Sequence, residues 1–106
     1  MKVKVYMQTI NEKHTFYADD SNDCVLADEQ NTNYQADRFI FKVGTMVKDW
    51  PNELINEKIL DGLTYKIVIN KKDQELKYTF KNKFPEDIYR LDTLVDEVLG
   101  DVKNVD

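Results

Sequence analysis

The chain has 106 residues, 42% of them apolar and 33% charged, and carries a net charge of −5. That length suits one domain spanning 1–106, able to close a core without disulfides or metals, and Trp50, six Tyr and five Phe supply side chains to close it. The acidic balance points away from direct nucleic-acid binding and from anionic membrane surfaces, and towards a basic partner.

Cys24 is the single cysteine, so no intramolecular disulfide is expected and a reducing, cytoplasmic setting is the natural reading. No stretch approaches the roughly 18 apolar residues of a membrane span. The opening residues alternate like a strand and do not run apolar like a leader. Lys greatly outnumbers Arg (Arg38 and Arg90 alone), while Ala and Gly are scarce. That bias suits an AT-rich genome, such as a low-GC bacterium or its phage.

In chain order, Val3, Val5 and Met7 alternate with Lys2, Lys4, Tyr6 and Gln8, the period-two pattern of a half-buried strand. A turn at 11–13 and a second strand over 14–18 complete a hairpin. Residues 19–35 are polar and irregular, with a short strand at 24–27. Over 38–43, Phe39, Phe41 and Val43 share a period of two and predict a central strand ended by Gly44. Trp50-Pro51 predicts entry into a short helix near 51–60, closed by Asp61-Gly62. Tyr65, Ile67 and Ile69, a turn at 71–74, then Leu76, Tyr78 and Phe80 predict a second hairpin. Ile88, Leu91, Leu94, Val95, Val98 and Leu99 form the apolar stripe of a helix starting at Phe84-Pro85 and ending near Gly100. The expected fold is α+β: an antiparallel sheet of two hairpins plus a central strand, packed against a C-terminal amphipathic helix and a short helix near 51–60.

The motifs that carry chemistry are missing. His14 and Cys24 occur once each, too few ligands for a zinc site. Asp19, Ser21 and Asp23 fall at calcium-loop spacing, but Cys24 and Gln30 stand where the loop needs Gly and Glu. Three glycines, none in a Gly-rich loop, form no phosphate cradle. The chain is therefore expected to be no enzyme, with no catalytic residue, metal or cofactor.

Charge placement is more informative. From 19 to 37 the acids Asp19, Asp20, Asp23, Asp28, Glu29 and Asp37 meet no Lys or Arg. From 86 to 106 acids again dominate, whereas the hairpin over 64–83 is Lys-rich. Segregated charge of this kind selects partners and speeds association. The expectation is a small inhibitor: an immunity protein that neutralises a basic bacterial toxin, of the nuclease type, by occluding its cationic groove. Its partner-binding residues would be Asp19, Asp20, Asp23, Asp28, Glu29, Tyr34 and Asp37. A phage-encoded inhibitor of a host defence protein and an assembly module acting through a sheet edge are the alternatives.

Overall fold

The computed structural model describes residues 1–59 and 62–103. The elements are β1 (Lys2–Gln8), β2 (Lys13–Asp19), β3 (Cys24–Ala27), β4 (Gln30–Gln35), α1 (Ala36–Val47), β5 (Glu53–Ile55), β6 (Thr64–Lys71), β7 (Gln74–Lys81) and α2 (Tyr89–Gly100). The fold is α+β, with a single sheet in the order β4-β3-β2-β1-β6-β7-β5. The shortest dimension of the molecule is 20 Å, the thickness of one sheet and one helix layer.

The alternation of β1 decides which face is which. Val3, Val5 and Met7 are buried, and Val5 lies opposite both Phe16 of β2 and Ile67 of β6. The β6–β7 hairpin adds Tyr65 opposite Phe80 and Ile67 opposite Tyr78 to the same inner face. Helices α1 and α2 cover that face mainly over β1–β4, and Trp50 and Phe84 pack on Phe80 and Tyr65 over β7 and β6, leaving the other face of the sheet open.

Four expectations need correction. First, the sheet is mixed, because β5 pairs parallel to β7 while the other strands pair antiparallel. Second, residues 19–35 are not largely irregular. β3 and β4 form a further hairpin there, with Val25, Ala27, Thr32 and Tyr34 turned inward. Buried Thr32 is satisfied by donating to the Val25 carbonyl at 2.7 Å.

Third, residues 38–43 lie within α1 and form no central strand. Phe39 and Val43 fit either period, so Ile40 and Phe41 decide. Ile40 is buried and Phe41 is 74% exposed. Ala36, Phe39, Ile40, Val43, Met46 and Val47 make the buried stripe, at spacings of three and four. Gly44 sits inside this helix and ends nothing. Phe39 packs into the core between Phe16 and Tyr34, with ring centroids 6.4 and 6.5 Å away.

Fourth, no helix forms over 51–59. Instead β5 docks on the outer edge of β7, with Thr79 N–H donating to the Asn52 carbonyl at 2.8 Å and Asn56 N–H to the Lys81 carbonyl at 2.9 Å. Glu53, Ile55, Glu57 and Lys58 are exposed, so a helix here would have little to bury. Of the expected end of that helix at Asp61-Gly62, Asp61 lies outside the described residues, as does Leu60 before it.

Helix α2 buries Leu91, Leu94, Val95 and Val98, the expected stripe. It begins at Tyr89, after a turn in which Ile88 N–H donates to the Pro85 carbonyl. The two helices run antiparallel. Trp50, just after α1, meets Asp87, just before α2, and Lys42 meets Glu97 midway at 3.6 Å. Residues 101–103 then pair with the free edge of β4: Asn33 N–H donates to the Asp101 carbonyl and Lys103 N–H to the Asn31 carbonyl, both at 2.9 Å.

Candidate interaction surface

The acids of 19–37 do not converge. Asp19, Asp20 and Asp23 lie at one end of the β2–β3 ladder. Asp28 and Glu29 form the β3–β4 turn at the other end, and Asp37 lies in the first turn of α1. Three of them have local partners. Asp19 accepts from the Ser21 N–H and hydroxyl at 3.0 and 2.8 Å, which holds its carboxyl below the ordinary range, with Lys2 and Tyr17 assisting. Asp20 pairs with the Met1 amino group at 2.6 Å. Asp28 accepts from Thr15 N–H at 2.8 Å and meets His14 Nδ1 at 2.7 Å. Tyr34 is buried at 5% exposure, its ring flanked by Arg38 at 5.5 Å and Lys42 at 5.8 Å.

His14 and Cys24 stand at opposite ends of the β2–β3 ladder and make no nucleophile pair. Among the described residues, no three His, Cys, Asp or Glu side chains are placed to hold a metal ion. No helix there is long and apolar enough to cross a membrane.

The helix layer presents a more organised surface. Phe41 of α1 and Tyr89 of α2 are 74% and 64% exposed. They border a cleft of about 330 Å³ between the helices, floored by Met46 and Leu94. Beyond Glu97 at its border, a polar groove of about 640 Å³ continues past Asp96, Asp101 and Arg38. The cations of this layer are partly committed: Lys42 to Glu97, and Arg90 to Asp87 at 3.2 Å.

Beneath the layer, the Tyr65 hydroxyl donates to Asp92. Burial, and then the Asp92 and Asp96 carboxylates, push the phenol far above its usual range. Tyr65 stays neutral at any physiological pH and acts as a tether between β6 and α2.

Phe41 escaped the sequence reading because the strand period assigned it to the core. Tyr89 was passed over as well, although an aromatic lying off the α2 stripe is a signal that marks it. No protein-family model matches the chain, and no curated protein or solved structure is significantly similar to it.

Proposed function

We propose that this chain is a non-catalytic protein-binding inhibitor, an immunity protein for a basic bacterial toxin of the nuclease type, and that it docks through its helix layer. The observation that carries this reading is the pair Phe41 and Tyr89, exposed on adjoining helices around an apolar-floored cleft with carboxylates beside it. Protein interfaces concentrate binding energy in a few aromatic anchors inside a polar rim. Here the partner inserts an apolar side chain between the two rings. Its Lys and Arg reach Asp96, Glu97 and Asp101, where complementary charge raises the association rate. A phage-encoded inhibitor of a defence protein would rest on the same face.

The edge-binding alternative has less support. Residues 101–103 cover the β4 edge, and β5 covers part of β7.

The test is binding to, and growth protection against, the basic protein encoded in the adjoining reading frame. Phe41→Asp and Tyr89→Ala should each weaken binding by at least about thirty-fold, the mark of a hot spot, with an unchanged circular dichroism spectrum. Asp96→Lys combined with Glu97→Lys should lower the on-rate and its salt sensitivity. Protection retained by the double aromatic variant would eliminate the helix face. No binding by the wild type would eliminate the inhibitor reading.

A further inference from the structure

The face of the sheet opposite the helices has its own composition. On β1 it carries Lys2, Lys4, Tyr6 and Gln8. The register sets Lys4 opposite Tyr17 of β2 and Val68 of β6, and Tyr6 opposite Thr15 and Lys66. Lys77 lies opposite Val68, and Lys81 opposite Thr64. Lysine and tyrosine therefore stand side by side on the central strands, in the rows Tyr17–Lys4–Val68–Lys77 and Thr15–Tyr6–Lys66–Thr79. They line an open trough of about 630 Å³ that includes Lys4, Tyr6, Lys66 and Lys81.

The acids of this face lie at its margins. Asp19 is held by Ser21, Glu75 pairs with Lys77 at 3.4 Å, and Glu53 is on the edge strand. Among the described residues, Lys4, Lys66 and Lys81 enter no ion pair. The Tyr6 hydroxyl donates to Gln8 Oε1 at 2.8 Å and the Tyr17 hydroxyl to Asp19 Oδ2 at 3.3 Å. Both partners stand two residues further along the same strand, so each ring leans along its strand.

We infer that this open face binds single-stranded nucleic acid. Lys4, Lys66, Lys77 and Lys81 would neutralise backbone phosphates, while Tyr6 and Tyr17 offer ring faces on which unpaired bases stack. Two features favour a nucleic acid over an acidic protein. Protein interfaces exclude lysine from their centres, and here Lys4 and Lys66 occupy the two central strands. The face also lacks an apolar anchor at its centre, where Val68 is the aliphatic, with Leu26 and the exposed Ile55 towards its margins, whereas a polyanion keeps its charges wet. Two features favour a single strand over a duplex: the trough has no projecting element to enter a groove, and stacking needs bases free of pairing. The net charge of −5 does not oppose this, because the surplus acids lie in the helix layer and the loops.

The test is fluorescence anisotropy with a labelled single-stranded oligothymidylate, titrated with the full chain between low and moderate salt. Binding in the micromolar range is expected, with log K falling against log salt at a slope of about −3 for four phosphate contacts. Lys4→Glu combined with Lys66→Glu should weaken binding at least about ten-fold while leaving the circular dichroism spectrum unchanged, since both side chains are exposed. Tyr6→Ala should weaken it at least about five-fold without changing the salt slope. Asp96→Lys on the helix face should leave the lysine and tyrosine effects in place. Absent binding at about 100 μM protein would overturn the inference, as would full binding by the double lysine variant. Tighter binding of a duplex, or equal competition by polyglutamate, would overturn it in favour of a duplex or an acidic protein.

Discussion

Asp28 and Glu29, two acids of the 19–37 segment, make the β3–β4 turn. They are the two residues between the paired Ala27 and Gln30, with φ of 51° and 67°. A two-residue hairpin of this kind needs positive φ at both positions, which Asn and Gly adopt most easily. Asp28 is held there by its contacts with Thr15 and His14. Glu29 has no side-chain hydrogen bond among the described residues and bears the steric cost of the left-handed region. Glu29→Gly should therefore raise stability by about 0.5–1 kcal/mol, measured by urea unfolding. Unchanged or lower stability would show that the Glu29 side chain holds the turn. Gly44 offers the complementary case. A Cβ at this mid-helix position meets nothing within 4 Å, so Gly44→Ala should add about 0.5–1 kcal/mol through helix propensity. A loss on that substitution would mean that α1 needs a flexible point there.

At the scale of the element, legibility followed the length and purity of each hydrophobic period. β1, β6, β7 and α2 carry long uninterrupted patterns, and each was readable from residues alone. α1 was not, because Phe39, Phe41 and Val43 satisfy a period of two while Phe39, Ile40, Val43 and Val47 satisfy a helical one. The inner face of the sheet settles the ambiguity, because it offers a surface to the helical stripe that leaves Phe41 in solvent. β4 was obscured for the opposite reason. Its inward residues are Thr32 and Tyr34, so its pattern is only weakly apolar, and it is held by the β3 ladder and by residues 101–103. The period of α1 can be measured directly. Ile40→Asp should cost more than about 3 kcal/mol by burying a charge, while Phe41→Asp should stay within about 0.5 kcal/mol. The reverse order of costs would restore the strand reading. The same shift of period removed a strand from the expected sheet and left Phe41 exposed on the helix layer.

At the scale of the whole molecule, charge is segregated between layers: lysines on the open sheet face, carboxylates concentrated along α2 and its approaches. Those carboxylates also join the fold together. Trp50 is the only tryptophan. It lies over Phe80 at 5.6 Å, edge to face, and its indole N–H donates to Asp87 Oδ1 at 2.7 Å. That bond, with Arg90 at its flank, holds the Asp87 carboxyl below its ordinary value of 3.8. Because the folded-state value lies below the unfolded one, the unfolded chain binds the extra proton first as pH falls. The contribution of Asp87 is therefore fully present above the ordinary carboxylate value. It is lost as pH drops through the depressed folded value. Asp19, depressed by Ser21, acts in the same direction at the far end of β2. Urea unfolding followed by Trp50 fluorescence separates the two. Asp87→Asn keeps an acceptor for the indole but removes the titration, so the stability gap between wild type and variant should be clear near about pH 6 and shrink as pH falls through the depressed folded value. Asp19→Asn should show a gap of the same sign whose size adds to that of Asp87→Asn in the double variant, because the two sites share no partner. A gap for Asp87→Asn that stays constant across the acid range would mean that the Trp50 contact is indifferent to the carboxylate charge, and that Asp87 joins the helix ends by shape alone.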